Sequence, residues 1–258
     1  MITDYPLYFF VFSFLLLWAS AWLGLFFFKK HWILSDEIRE DFGVVLAATL
    51  TLLGLIIGFS FSMATSRYDQ RKNYEEAEAN AIGTEYLRAD LLPAEPAENV
   101  RKLLKEYLDQ RILFYSTYNS RAVREINAKT TRLQTQLWTT VLAPAEAHPT
   151  PVVSLVVAGM NDVLNSQSYS QAAYWNRIPL AAWVLMIVIA LISNLLLGYG
   201  SHSMKAGVKI LPILPMMISI AFMLIADIDS PHRGIIKVKP QNLISLAESL
   251  PNAGTRLP

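Results

Sequence analysis

Residues 42–66 read Phe42-Gly-Val-Val-Leu-Ala-Ala-Thr-Leu-Thr-Leu-Leu-Gly-Leu-Ile-Ile-Gly-Phe-Ser-Phe-Ser-Met-Ala-Thr-Ser66 and contain no charged side chain. An α-helix rises about 1.5 Å per residue, so this stretch would be roughly 37 Å long as a helix. The hydrocarbon core of a bilayer is about 30 Å thick, and roughly 20 apolar residues are needed to cross it. The stretch therefore predicts a transmembrane helix and decides the class of the protein.

Three further runs lack charged residues: 5–28, 178–201 and 210–226. The last run is the shortest and contains Pro212 and Pro215, which membrane helices tolerate when neighbouring groups satisfy the freed carbonyls. Overall, 53% of the residues are hydrophobic and only 17% are charged, which is too apolar for an ordinary soluble domain. The sequence predicts an all-α membrane protein with four transmembrane helices.

The second transmembrane helix is predicted to be long and to continue into a helical extramembrane domain. No proline occurs between Phe42 and Pro93, so the helix would run for roughly 75 Å. The following residues are charged, and their apolar side chains recur at helical spacing up to the third span. The predicted organisation is a transmembrane hairpin (1–64), the helical extramembrane domain (65–178), a second transmembrane hairpin (179–228) and an extramembrane C-terminal tail (229–258).

Several kinds of functional site find no support in the sequence. There is no cysteine, and the four histidines do not occur at metal-ligand spacing. The GxSxG, GxGxxG and phosphate-loop motifs of common enzyme classes do not occur. The formal net charge is +1, which gives no indication of a nucleic-acid partner. We therefore expect neither an enzyme nor a nucleic-acid-binding protein.

Small residues recur along one face of the second span. These residues are spaced by three or four positions and include a GxxxG pair, Gly54 and Gly58: Gly43, Ala47, Thr51, Gly54, Gly58 and Ser62. Small side chains let two helix backbones approach closely in lipid. The face is consistent with packing inside one subunit and also with packing between the subunits of an oligomer.

Charged residues begin where the second span is predicted to leave the bilayer, at Arg67, Asp69 and Arg71. One interpretation is a solvated helix surface with ion pairs four residues apart, such as Arg71 with Glu75. The other is that these membrane-exit charges form one stripe of a vestibule in a symmetric ring, where charged rings set ion preference. Both signs of charge are present, so the pattern leaves that preference undecided.

Two acids, Asp227 and Asp229, end the fourth span. Carboxylates suit a calcium ion or another cation, so the pair is a candidate metal site. Acids at a membrane boundary are also stable when they are paired with a cationic side chain. The alternative is therefore an ion pair with Arg67, Arg71 or Arg233 that fixes the fourth helix to the second.

Four stretches together resemble the bacterial bestrophin-like domain family of membrane proteins. They are LLGLIIGFSFSMATSRY (52–68), EANAIGTEYLRADLLP (78–93), Asn176-Arg-Ile-Pro179 and Asp227-Ile-Asp-Ser-Pro-His-Arg-Gly234. The matching stretches extend from the second span to just past the fourth. A more distant similarity links the chain to the true bestrophins, which are pentameric anion channels.

The more distant similarity implies a homo-oligomeric, pentameric ion channel whose pore is lined by the second helix. Its pore-lining residues would be Thr51, Leu55, Phe59 and Ser62, and its helices would pack through Gly54 and Gly58. Anion preference is implied by the resemblance alone. A calcium ion would be held near Asp227 and Asp229, since bestrophins carry an acidic calcium clasp after their last span.

A second hypothesis is a membrane-anchored interaction or sensory protein that has no pore. In the channel hypothesis the partners are further copies of the chain, lipid and ions. The expected location is the bacterial inner membrane, with several spans. Counting Lys and Arg near the membrane, seven against five favours a cytoplasmic domain, whereas leaving out the domain's own residues gives three against five.

Overall fold

The computed structural model describes residues 5–28, 36–201 and 211–251. Of the described residues, 87% are helical and none lies in a strand. The predicted all-α class is thereby confirmed.

The described residues form eight α-helices. These are α1 (Pro6–Leu23), α2 (Asp36–Arg88), α3 (Ala94–Ser116), α4 (Ser120–Ala147), α5 (Pro151–Trp175), α6 (Leu180–Gly200), α7 (Ile213–Asp229) and α8 (Gln241–Ser249). A π-helical turn (Gly24–Phe28) follows α1, and a short 3-10 turn (Ala89–Leu91) follows α2. The 53-residue helix α2 is the longest of the eight.

Three helical segments of the described chain are long and apolar enough to cross a membrane: Pro6–Phe27, Ile38–Leu91 and Pro151–Gly200. They overlap the first three predicted spans. The fourth predicted span corresponds to α7, which has 17 residues and is apolar up to Asp227. Residues 202–210, before α7, and residues 252–258 of the predicted C-terminal tail lie outside the described ranges.

The chain divides into two compact units. Unit 1 takes its described residues from 1–68 and 177–237, and unit 2 from 69–176 and 238–258. Helix α2 contributes to both units, because the division falls within it, after Tyr68. Each unit has its own set of buried side chains.

An aromatic cluster organises the core of unit 1. The rings of Phe9 on α1 and Trp183 on α6 meet edge to face with centroids 5.2 Å apart. Phe222 on α7 packs against both rings. Edge-to-face aromatic pairs are favourable beyond the area that they bury. Leu17 and Met186 extend the cluster, which joins α1, α6 and α7.

Close backbone approach fixes α1 and its π-helical turn against α6. Ser20 donates a hydrogen bond from Oγ to the Leu191 carbonyl, with an O···O distance of 2.8 Å. A Cβ atom at Gly198 would overlap the Ala21 carbonyl, and one at Gly24 would overlap the Leu195 carbonyl. Small residues at helix contacts allow this kind of packing in membranes.

Unit 2 is built from the C-terminal part of α2 together with α3, α4, α5 and α8. The side chains of Asn119 and Thr150 accept hydrogen bonds from the first backbone N–H groups of α4 and α5, which stabilises both helix starts. Apolar side chains from α3, α4 and α5 fill the core and are fully or almost fully buried: Leu104, Leu108, Leu137, Val156, Met160 and Val163. Polar residues of α2 share this interior.

We predict that Gly198→Ala destabilises the protein by about 1–3 kcal/mol, because the added methyl group forces α6 away from α1. The measurement is the thermal unfolding midpoint in mild detergent. The matched control is Gly43→Ala, since no atom from elsewhere in the described chain lies within 4 Å of a Cβ at Gly43. Equal midpoints for both variants would contradict the close approach.

Candidate functional site

One stripe of α2 packs into unit 1. Leu53, Ser60 and Ala64 are buried, and Ile56 and Ile57 are half-buried between them. Their spacings of three and four residues place them on one helix face. Leu53 and Ala64 belong to the same apolar cluster as Phe9, Met186 and Phe222. This stripe attaches α2 to the rest of its own unit.

The predicted pore-lining residues lie on the opposite face of α2. At about 100° per residue, Thr51, Leu55, Phe59 and Ser62 lie roughly 160–240° around the helix from Leu53. All four are exposed, and Phe59 is the most exposed large one at 64%. The Thr51 hydroxyl donates to the Ala47 carbonyl at 2.8 Å, so it needs no partner outside the helix. The structure thus brings the four residues onto one uncovered face.

The glycine pair lies on one flank, between the buried stripe and this exposed face. No atom from elsewhere in the described chain lies within 4 Å of a Cβ at Gly54 or at Gly58. Of the two interpretations of the small-residue face, packing inside one subunit is therefore not what the described residues show.

Helix α2 is much less covered than the other apolar helices. We compare the buried share of the most apolar 18-residue stretch in each segment. This share is only 6% in α2, against 39% in Pro6–Phe27 and 28% in Pro151–Gly200. A helix that met only lipid on its free sides would have no need of glycine there. The open, glycine-bearing flank of α2 therefore offers a packing surface for another helix.

The three membrane-exit residues differ in their exposure to solvent. Arg67 is half-buried and faces the Asp229 carboxylate, with 3.9 Å between Nη1 and Oδ1. Asp69 is exposed, whereas Arg71 is 2% exposed. Only one of the three predicted exit charges therefore presents its full charge to solvent.

The acids at the end of α7 are both buried and hydrogen-bonded. The Asp227 carboxylate accepts from the backbone N–H groups of Ile235 and Ile236 at 2.7 and 2.8 Å. Asp229 accepts from the N–H of Ile178 at 3.1 Å, and its second oxygen lies 3.4 Å from Nε of Arg177. With Arg67, these contacts fix the end of α7 to α2 and to the start of α6.

The cation hypothesis for Asp227 and Asp229 stays a prediction. Within the described ranges, no group of three or more His, Cys, Asp or Glu side chains is arranged to hold a metal ion. The Asp229 carboxylate lies in the ion pair with Arg67 that the alternative interpretation names, whereas the Asp227 carboxylate accepts from backbone N–H groups.

Within unit 2, several charged side chains of α2 point into the protein interior. Arg71, Glu75, Glu78 and Glu85 are buried together with the apolar Ile82. The interpretation of a solvated surface is wrong for these residues, because their side chains are buried. Their spacing of three and four places them on one stripe, which the other helices of the unit cover.

Glu78 is the centre of a buried polar cluster. Arg111 on α3 donates to both of its carboxylate oxygens, and the hydroxyls of Tyr115 and Ser170 donate to one of them at 3.1 and 3.3 Å. The side chains of Glu78 and Arg111 are fully buried. Burial and the Glu78 charge raise the pKa of Tyr115, which keeps its hydroxyl a donor. A buried pair of this kind is stable only when its remaining hydrogen bonds are also made.

Glu75 anchors the C-terminal helix of unit 2. Its carboxylate accepts from the backbone N–H of Leu243 at 3.0 Å and from the Asn242 amide at 2.6 Å. An acid at the first turn of a helix satisfies free N–H groups and is stabilised by the helix dipole. Further along, Leu246 packs onto Gly83. Helix α8 therefore lies on α2.

Glu85 is the exception among the buried acids. Its side chain is fully buried, and neither carboxylate oxygen has a hydrogen-bond partner among the residues that the structure describes. Any Cβ at Gly159 of α5 would overlap this carboxylate, so the two helices touch here. Burial raises the pKa of Glu85 from 4.5 to about 8, with Arg88 opposing the shift and Asp162 adding to it.

A family model of the Bestrophin-like domain matches residues 11–243. This chain belongs to the Bestrophin-like domain family. The resemblance stated from the four sequence stretches is thereby confirmed.

Solved structures share the fold of this bestrophin-like chain. A bacterial bestrophin homologue from Klebsiella pneumoniae is 14% identical, with a TM-score of 0.62 over 93% of this chain and 99% of that one. A substituted form of that homologue is 13% identical, with a TM-score of 0.65 over 96% and 99% of the two chains. At such identities the likeness shows the fold alone. A search of the curated proteins finds no match.

Sequence reasoning missed the buried polar residues of the bestrophin-like chain. A signal was present, because Glu75, Glu78, Ile82 and Glu85 repeat at three and four residues as core positions do. The partner of Glu78, Arg111, lies 33 residues away in the chain. Rules for pairs three or four residues apart in a helix cannot identify a partner at this distance along the chain.

We predict that Glu85→Gln stabilises the bestrophin-like protein at alkaline pH. With a pKa of about 8 when folded and 4.5 as its ordinary value, Glu85 binds more protons in the folded state between these pH values. The free energy of unfolding therefore falls as pH rises through this window, and the variant does not share that loss. The unfolding midpoint of Glu85→Gln relative to wild type should rise between about pH 5 and pH 8.5.

The matched control is Glu76→Gln, which removes an exposed carboxyl from the same helix. Its difference from the wild type should stay constant over the same pH range, because that carboxyl is solvated in both states. A Glu85→Gln difference that is equally insensitive to pH would contradict the burial of a Glu85 carboxyl that has no hydrogen-bond partner in the described ranges.

Proposed function

We propose that this protein is a homo-oligomeric ion channel whose pore is lined by α2. The observation that carries the proposal is the uncovered face of α2, which lies opposite the stripe that attaches the helix to its own unit. A helix in a ring needs such an arrangement: one side meets its own subunit, the flanks meet neighbours and the remaining side meets the axis.

The residue types fit these three positions. Gly54 and Gly58 on one flank would let a neighbouring helix approach closely. Leu55 and Phe59, exposed by 54% and 64%, would point to the axis together with Thr51 and Ser62. A ring of apolar side chains can act as a gate, because water leaves a narrow apolar constriction. We expect the constriction at Phe59.

Membership of the Bestrophin-like family supports this proposal, and the similarity to true bestrophins that was drawn from the sequence implies a ring of five. We further propose that α7 is the fourth transmembrane helix beside the three longer apolar segments. The protein would lie in the bacterial inner membrane with unit 2 in the cytoplasm.

The functional experiment is current recording from purified protein in planar bilayers, comparing the wild type with Phe59→Ala. The variant should conduct more, because a smaller side chain widens and wets the constriction. The matched control is Phe12→Ala, which removes an exposed ring from α1 instead. Equal conductance in all three proteins would contradict a pore at Phe59. Protein that is monomeric and passes no current would leave the hypothesis of a membrane-anchored interaction protein.

We also predict that Gly58→Leu prevents assembly without unfolding the subunit. The described chain leaves the space beside Gly58 open, so a leucine fits the single subunit but would separate neighbours in a ring. The measurements are the mass of the detergent-solubilised particle and its helical circular dichroism. Loss of the oligomer with unchanged helicity is expected, whereas an intact oligomer would contradict packing through this flank.

A further inference from the structure

We propose that the loop after α7 (residues 230–237) is a membrane anchor, which inserts Ile235 into the bilayer interface and binds anionic phospholipid headgroups through Arg233. The inference rests on one part of the proposed function, the assignment of α7 as a transmembrane helix. It concerns a surface of unit 1 that the proposed pore does not use.

Ile235 is the most exposed large apolar side chain in the part of the chain that the structure describes, at 80%. Its neighbour Ile236 is 39% exposed. A single exposed apolar residue is ordinary on a protein surface. This pair, however, follows soon after Asp229, where the apolar helix α7 ends. An apolar side chain at that position gains free energy when it enters the edge of the hydrocarbon layer.

The exposure of the two isoleucines is fixed by their backbone contacts. The buried Asp227 carboxylate accepts from the N–H groups of Ile235 and Ile236 at 2.7 and 2.8 Å. Hydrogen bonds to a charged acceptor are stronger than those between neutral groups. The loop is thereby tied to the end of α7, and it cannot turn these side chains inward without breaking both bonds.

The residues around Ile235 are of the types that occur at membrane–water interfaces. Arg233 is exposed, and its Cζ lies 4.6 Å from the centroid of the Tyr5 ring. Tyr5 in turn packs edge to face on Tyr8 with centroids 5.9 Å apart. Tyr8, near the start of α1, is 72% exposed. Tyrosines are enriched where transmembrane helices meet the headgroup layer.

The charge of this surface fits an anionic headgroup. Arg233 precedes Ile235 by two residues, and the half-buried Lys237 follows it by two. The nearby acids Asp227 and Asp229 are both buried, and their oxygens accept hydrogen bonds from the protein itself. Cationic side chains next to a membrane attract anionic lipids, and a guanidinium matches the geometry of a phosphate group.

This composition favours lipid over a second copy of the chain as the occupant. The centre of a contact between proteins is depleted in charged residues. Here the exposed isoleucine has cationic side chains on both sides, and exposed tyrosine rings lie next to Arg233. That arrangement is the one expected for an apolar side chain in the bilayer surrounded by groups at headgroup level.

The first test measures how deeply position 235 lies. The sequence contains no cysteine, so Ile235→Cys gives one site for a spin label in the full chain, reconstituted into vesicles. Collisions of the label are measured with oxygen, which concentrates in lipid, and with a water-soluble nickel chelate. We expect oxygen to be the more effective. A label that meets mainly nickel, as in solvent, or neither reagent, as in a protein contact, overturns the inference.

Two reference positions separate this inference from the assignment of α7. Met217→Cys labels an exposed position within α7, and Glu98→Cys labels an exposed position on α3 in unit 2. Oxygen should dominate at 217 and nickel at 98. Nickel at 235 with oxygen at 217 overturns the anchor and leaves α7 as a transmembrane helix. Nickel at 217 overturns that assignment and this inference together.

The second test counts the lipids that remain bound to the particle in native mass spectrometry. The protein is taken from vesicles with equal amounts of phosphatidylglycerol and phosphatidylcholine. Arg233→Gln should lower the retained ratio of the first lipid to the second roughly two- to fivefold, the effect of one cationic side chain at an anionic surface. Arg233→Lys keeps the charge and should keep most of the wild-type ratio.

The matched control is Arg121→Gln, which removes an exposed cationic side chain from α4 in unit 2 and should leave the ratio unchanged. Helical circular dichroism of each variant shows whether the fold is retained. A folded Arg233→Gln protein with the wild-type ratio, or an equal loss in Arg233→Lys, overturns the assignment of the headgroup to the charge of Arg233.

Discussion

The burial of Leu53, Ser60 and Ala64 in unit 1 is the contact on which the orientation of α2 depends. Once this stripe faces the core formed by α1, α6 and α7, the rotation of the helix about its own axis is set. The opposite face is then exposed, and no atom from elsewhere in the described chain lies within 4 Å of a Cβ at Gly54 or Gly58. Apolar surface gains little free energy when it moves from lipid into a contact between helices. Close backbone packing is therefore a main reason for helices to associate in a membrane. The flank of α2 that carries Gly54 and Gly58 is the surface on which another helix could pack in this way.

Unit 2 solves a different physical problem, because its part of α2 is densely charged. Burying a carboxylate is costly unless cationic and hydrogen-bonding groups compensate it. Arg111, Tyr115 and Ser170 do so for Glu78, and α8 does so for Glu75. Glu85 has no hydrogen-bond partner among the described residues, and burial raises its pKa although Arg88 opposes the shift. Of the acids in this part of α2, only Asp69 and Glu76 remain exposed.

The sequence located the helices well, but it did not show which face of each helix is buried. Runs without charge located α1, α2, α6 and α7, because a bilayer core demands length and apolarity, and both can be read residue by residue. The apolar part of α2 is hydrophobic all round, so periodicity could not show that Leu53 faces inward and Phe59 outward. Positions that face lipid and positions that are buried in the protein both favour apolar side chains, so hydrophobicity does not distinguish them. In unit 2 the obstacle was the reverse, since acids occupy core positions and their partners come from distant helices. The spacing of Gly54 and Gly58 was visible in the sequence, but only the structure showed that the described residues leave the space beside them open.

The central claim is that α2 meets copies of itself around a common axis. The most direct measurement is a projection image of the detergent-solubilised particle, which counts subunits and shows what lies at the centre. If α2 lines the pore, the image shows a closed ring with a central hole bordered by one α2 from each subunit. Single subunits, or an assembly in which α1, α6 and α7 separate α2 from the axis, would contradict it.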